Sequence, residues 1–269
     1  MSKIIPTSFS DIPYDLYKEI RNSIDNGLIK ECIMILSDIY KKSTANADAA
    51  NTDGNHININ ITGNIGAGKS TTCEVISKLI GEELIKNNVR FVKYPEYIRA
   101  YMYGEEMLRL RAEKIISVET FQHYILDYWE LVLDYYKYAS KKSVNIFERL
   151  PEDSIYCFAK IAHEEHEISD EGWNRLIHRY NDVQDRFHCI ESKDTKTFIV
   201  SNEGSISKTV EAILKIIRDF YRDNTDNLNL TILLKVSQDT LKERIEVRNR
   251  DSEKKLENGY LNSLNDYYA

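Results

Sequence analysis

The 269 residues are 42% hydrophobic and 29% charged, with a net charge of −7. That length suits one large domain, and the acidic balance argues against a duplex nucleic-acid binder, which needs a basic face to displace counterions. No apolar run reaches the length of a membrane span or a signal-peptide core, and Cys32, Cys73, Cys157 and Cys189 lie far apart without a CxxC pair, as free thiols of a cytoplasmic protein would.

Residues 12–40 carry apolar side chains at helical spacing, interrupted by Asn26-Gly27, and predict two short helices. Residues 41–54, KKSTANADAANTDG, lack a hydrophobic face and read as a linker. Residues 1–55 are therefore expected to form a helical N-terminal appendage ahead of a domain spanning 56–269. From His56 the pattern changes. HININIT (56–62) alternates around isoleucines as a strand does, and 71–86 has helical periodicity. VRFVKY (89–94) reads as a strand, 105–139 as a long helical region, and SVNIFE (143–148) as a third strand. Helices follow between 153 and 186. TFIVS (197–201) and LTILLKV (230–236) are two more strands, separated by a helix over 205–222, and a last helix starts near Gln238. Five strands alternating with helices predict an α/β fold with a five-stranded parallel sheet flanked by helices on both faces.

Between the first strand and its helix, Gly63-Asn64-Ile65-Gly66-Ala67-Gly68-Lys69-Ser70 fits G-x-x-x-x-G-K-[ST]. Such a loop turns backbone N–H groups around phosphate oxygens, and the helix N-terminus adds partial positive charge. Gly63 to Thr71 are the candidate nucleotide cradle. Lys69 supplies a cation to the outer phosphates, and the Ser70 hydroxyl suits Mg²⁺. The second strand ends in Pro95-Glu96-Tyr97 and the third in Phe147-Glu148-Arg149. Carboxylates at the C-terminal ends of parallel strands lie where ligands bind in open sheets. Glu148 suits Mg²⁺; Glu96, further out, suits the role of general base on an attacking hydroxyl. Arg244, Arg248 and Arg250 follow near the C-terminus. Taken alone, such a trio is more often a solvated helix face. Over a phosphate loop it suits a clamp on the transferring phosphoryl.

GNIGAGKST, PEY at 95–97, FQ at 121–122, FER at 147–149 and R-x-x-x-R-x-R-x-x-E at 244–253 together resemble the deoxynucleoside kinases, a family that includes the cellular enzymes and the herpesvirus thymidine kinases. The resemblance runs over residues 58–159 and 230–264. It implies a P-loop kinase fold with a lid near 244–253, and ATP and Mg²⁺ as cofactors. Lys69 would hold phosphates, Glu96 would act as base, and Arg149 would help place the 5′-oxygen. Gln122 would pair with the base edge between Phe121 and Phe158, and Glu253 would meet the 3′-hydroxyl. Tyr101 stands where cellular members have a substrate-side tryptophan. Leu150-Pro151 and Tyr97 depart from the family pattern. In members that take deoxycytidine or purines, an Arg seven residues after the Gln and an Asp six after the strand-end acid line the base pocket. Trp129 and Ser154 stand there in this chain.

These features imply 5′-phosphorylation of a deoxynucleoside, a pyrimidine such as thymidine favoured, in nucleotide salvage. The expected assembly is a homodimer. The competing readings are a nucleoside monophosphate kinase and a nucleotide-binding protein with a disabled site. In the family a last strand and helix follow the lid. Here residues 197–222 resemble that unit but precede the fourth family strand. They are expected to fill the same outer place in the sheet, with the loop 202–206 near the phosphate loop.

Overall fold

The computed structural model describes residues 12–45, 56–138, 142–186, 195–224, 228–249 and 258–268. Two helices, α1 (Tyr14–Ser23) and α2 (Asn26–Ala45), precede β1 (Ile57–Gly63). Then come α3 (Lys69–Ile76), a π-helical turn Ser77–Gly81, α4 (Glu82–Lys86), β2 (Phe91–Tyr94), α5 (Tyr97–Ala100), α6 (Gly104–Ala112) and α7 (Val118–Tyr138). After β3 (Val144–Glu148) a π-helical stretch, Asp153–Ala159, runs into α8 (Lys160–Glu164) and is followed by α9 (Asp170–Arg186). The chain ends with β4 (Lys196–Ser201), α10 (Ile206–Asp223), β5 (Asn229–Lys235), α11 (Gln238–Arg248) and α12 (Asn258–Tyr267). All strand pairs are parallel, in the order β2-β3-β1-β5-β4. This is the expected P-loop kinase sheet, with helices on both faces.

The alternation in β1 sorts its side chains, but not into core and solvent. Ile57, Ile59 and Ile61 enter the main hydrophobic cluster, while Asn58 and Asn60 are equally buried on the other face. Asn58 is paired at both ends of its amide across the strands, and Asn60 through its Nδ2, its Oδ1 being buried without a partner among the described residues. Asn58 Nδ2 donates to Asn229 Oδ1 at 2.7 Å, Asn145 Nδ2 donates to Asn58 Oδ1 at 2.8 Å, and Asn60 Nδ2 donates to Thr231 Oγ1 at 3.2 Å. Each of these partners is also a register partner in the sheet. A one-residue slip would strand several buried amides, so this ladder specifies the register.

The outer strand position is filled as expected. β4 pairs with β5 from Lys196↔Leu230 to Ser201↔Lys235. Helix α10 covers that edge because Val210, Ile213, Leu214, Ile217, Phe220 and Tyr221 recur at helical spacing and all are buried.

The N-terminal helices differ from the appendage reading. Ile20, Ile24, Leu28, Cys32, Leu36 and Ile39 belong to the same hydrophobic cluster as the isoleucines of β1 and the buried face of α10. Cys32 Sγ donates to Leu214 O at 3.2 Å. The helical region 105–139 divides into α6 and α7, because Lys114 takes a left-handed conformation (φ 58°) between them. Helix α12 was not anticipated. Most of the proposed linker, residues 46–55, lies outside the described residues, as do Cys189, Arg250 and Glu253.

Candidate active site

β1 runs straight into the glycine-rich loop, and the loop's close contacts explain two of its glycines. At Gly63 (φ 140°) a Cβ would lie 2.6 Å from the Leu234 carbonyl; at Gly68 (φ 87°) one would lie 2.5 Å from Asn202 Nδ2. Both positions need positive φ and empty space, and only glycine supplies both. The loop is pinned from two sides. Asn202, just past β4, donates from Nδ2 to Ala67 O at 2.7 Å and accepts from Thr209 Oγ1 at 2.7 Å. On the other side Asn64 Nδ2 donates to Leu261 O and to Asn265 Oδ1 of α12, at 3.1 and 2.7 Å.

Lys69 opens α3 and is buried, its Nζ donating to Asn64 O at 2.8 Å. Burial, reinforced by the nearby Arg149 charge, brings its ammonium down to about 8. One residue on, Ser70 Oγ donates to Glu148 Oε1 at 2.5 Å. Glu148 ends β3 and is buried; burial first, and the Glu96 charge second, hold its carboxyl above the usual range. The Glu96 backbone N–H reaches the other Glu148 oxygen at 3.5 Å. The Glu96 carboxylate forms an ion pair with Arg149 Nε at 3.0 Å.

Arg149 is held in a left-handed conformation (φ 68°), unusual for a residue with a side chain. Its backbone N–H donates to Ile61 O at 3.0 Å, and the next N–H, of Leu150, donates to Asp153 Oδ2 at 2.8 Å. The turn sends the guanidinium over the Phe158 ring, 4.7 Å from its centroid, where Nη1 donates to Tyr268 OH at 2.8 Å. Arg149 thus faces Glu96 with one nitrogen and Tyr268, just past α12, with another.

These groups share one cleft of about 960 Å³. The phosphate loop and the Arg244 and Arg248 side chains form one end, and Tyr97, Phe121, Gln122, Tyr128, Trp129, Ser154 and Phe158 line the rest. Arg244 Nη2 donates to Asn202 O at 2.7 Å. Its Nη1 is buried without a hydrogen-bond partner and lies 3.7 Å from where a Gly68 Cβ would be. A buried guanidinium nitrogen beside the loop, lacking an acceptor, fits an anionic ligand. Gln122 is buried and accepts from Ser154 Oγ at 2.5 Å.

Of the expected site residues, the cleft gathers Ile65, Gly66, Gly68, Lys69, Ser70, Thr71, Glu96, Phe121, Gln122, Glu148, Arg149, Phe158, Arg244 and Arg248. Tyr101 does not line it. Past α5 the chain has turned away, and the Tyr101 ring packs at a tilt against Tyr124 (4.9 Å) and Tyr128 (5.8 Å), leaving the wall to Tyr97 and Tyr128. Sequence reasoning missed Asp153, whose carboxylate accepts from Thr62 Oγ1 at 2.5 Å as well as from Leu150 N–H. It also missed Tyr260, which lines the cleft from α12, and Tyr268. The spacing of Leu261, Leu264 and Tyr268 on one helical face was the available signal.

The family model for deoxynucleoside kinases matches residues 59–199 and 188–269. The chain belongs to the deoxynucleoside kinase family. Phosphorylation of a nucleoside is the activity that this membership supports. Among solved structures, the M. mycoides deoxyadenosine kinase with products dCMP and a flexible dCDP aligns with a TM-score of 0.50 at 23% identity, over 78% of this chain and 81% of that one. The same enzyme with bound dATP aligns at 0.49 and 25% identity, over 79% and 82%. The first of these likenesses shows the kinase's fold. No curated protein matches the chain. Among the described residues no helix is long and apolar enough to cross a membrane.

Proposed function

We propose that this kinase transfers the γ-phosphoryl group of ATP to the 5′-hydroxyl of a deoxynucleoside, with thymidine or another pyrimidine preferred over purines. The observation that carries the reading is the Glu96–Arg149 ion pair, 3.0 Å across, in the cleft that joins the phosphate loop to an aromatic cavity. The loop amides and Lys69 hold the nucleotide phosphates, and Arg244 and Arg248 close over them. Ser70 and Glu148 offer one hydroxyl and one carboxylate, and no cluster of three metal-ligating side chains occurs among the described residues. That donor set suits Mg²⁺ bound largely through phosphate oxygens and water, rather than a dedicated protein cage. Mg²⁺ there would supply charge neutralisation at the phosphates.

Glu96 accepts the proton of the attacking hydroxyl, and Arg149 orients the carboxylate and the 5′-oxygen. Acceleration comes from positioning and charge stabilisation, since phosphoryl transfer asks for little covalent chemistry from the protein. Phe121 and Phe158 flank the base and Gln122 reads its edge. Trp129 is buried in the cleft wall, edge-on to Tyr128 with ring centroids 5.4 Å apart, and takes up depth that a purine needs. Arg250 is assigned to the lid and Glu253 to the 3′-hydroxyl from the sequence pattern alone. The same reading carries the expectation of a cytoplasmic homodimer.

A nucleoside monophosphate kinase is disfavoured by Glu96 and Glu148, which would repel a substrate already carrying a phosphate. ADP formation measured with deoxynucleosides, with monophosphates and with no acceptor separates the readings. The proposal requires acceptor-dependent turnover with deoxynucleosides. Faster turnover of monophosphates, or of deoxyguanosine over thymidine, contradicts the corresponding part of it.

A further inference from the structure

We infer that Ser154 is a positioning residue that fixes the orientation of the Gln122 amide and thereby selects a thymine-type base edge over a cytosine-type one. The inference rests on the reading of the cleft as a deoxynucleoside site and names the substrate within it.

Ser154 and Gln122 are 5% and 2% exposed, and both line the cleft. Ser154 lies in the π-helical stretch after β3, Gln122 on α7, and their hydrogen bond of 2.5 Å joins the two. The serine hydroxyl has one proton to give. Its neighbour Asp153 does not compete, because its two oxygens are engaged by Thr62 and by the Leu150 N–H. With that proton on Gln122 Oε1, the two ends of the amide are no longer equivalent. Oε1 keeps one lone pair, and Nε2 at the other end keeps its N–H donors.

The edge presented to a base is then a donor beside an acceptor. Thymine and uracil complement it, with a carbonyl oxygen at position 4 next to an N–H at position 3. Cytosine carries the reverse pattern, an amino donor next to an unprotonated ring nitrogen. To read cytosine the amide must flip. Flipped, the amide would donate from Nε2 to Ser154 Oγ and displace the hydroxyl proton, which among the described residues has no hydrogen-bond partner other than Gln122, and leaving a buried donor unmet carries a penalty. A site built on hydrogen bonds rejects the mismatched partner far better than an apolar pocket rejects a size difference. Guanine has the thymine-like pattern, and it is the bulk of Trp129 that turns it away.

The test compares kcat/KM for thymidine and deoxycytidine in the wild type, Ser154→Ala and Ser154→Cys. The wild type is expected to favour thymidine about tenfold or more, the scale of one well-made polar contact. In Ser154→Ala the ratio collapses toward one, and the change is carried by KM more than by kcat. Ser154→Cys keeps the volume but offers a poor donor, so its ratio falls between the two, and it serves if the alanine variant does not fold. The ratio is internal to each variant, so a loss of folded enzyme cannot mimic the effect. A ratio indifferent to residue 154 in an active kinase, or a wild-type preference for deoxycytidine, overturns this proposal alone. Absence of phosphorylation of every nucleoside overturns the functional reading and this proposal with it.

Discussion

Lys69 shows how one residue carries both a fold constraint and, on the proposed reading, a measurable role. Its ammonium is enclosed and donates to the Asn64 carbonyl, and burial, with the Arg149 charge, brings it down to about 8. A bound triphosphate restores the charge. Nucleotide binding therefore takes up a proton above that value and none well below it. ATP affinity is expected to fall as pH rises above about 8, approaching roughly tenfold per unit. Calorimetry in two buffers of different ionisation heat should register proton uptake at about pH 9 and little at about pH 7. Equal proton counts at both would remove Lys69 from the binding equilibrium. The lysine itself was legible in the sequence because G-x-x-x-x-G-K-[ST] fixes local backbone geometry. Arg149 was legible as a residue, but its left-handed turn was not, since that turn depends on Asp153 and on a carbonyl of β1 distant in sequence. Tyr101 misled for the same reason: the direction of a side chain past a four-residue helix is set by packing, not spacing.

At the scale of elements, the unit formed by β4 and α10 matters most. Its connecting loop ties four pieces together through Asn202: the phosphate loop by Nδ2, α10 by Oδ1, β5 by the backbone N–H, and Arg244 of α11 by the backbone carbonyl. Glu203 adds a second tie, accepting from the Ser237 N–H and from Thr240 Oγ1 at the start of α11. A carboxylate there also complements the helix dipole. Asn202→Ala leaves the backbone ties but strands Thr209 and the Ala67 carbonyl. It is expected to cost about 1–3 kcal/mol of stability by urea titration. It should also raise the KM for ATP about tenfold, because the phosphate loop loses its brace. A variant with unchanged stability and ATP affinity would show that the loop is held elsewhere. The strands and α10 were legible because each carries its own period. The asparagine face of β1 was not, because buried amides look polar until their cross-strand partners are known.

Across the whole molecule, the sequence divides less than it suggests. The break at Asn26-Gly27 and the polar stretch after residue 40 made the first two helices look detachable. Instead Leu36, fully buried, packs in the cluster shared by β1 and α10. Leu36→Ala is therefore expected to cost about 2–5 kcal/mol, as core truncations do, read from the urea midpoint. A cost below about 1 kcal/mol would restore the appendage reading. At the other end α12 holds the phosphate loop through Asn64, and Tyr268 just past it holds Arg149, so the proposed nucleotide and acceptor sites share one support. The account as a whole turns on Glu96 standing between those two sites. The most direct test is the kcat of Glu96→Gln for thymidine phosphorylation, with ATP affinity measured on the same protein. The account predicts a folded variant with kcat lowered on the order of 10²–10⁴-fold and ATP affinity little changed. A near-normal kcat would contradict it.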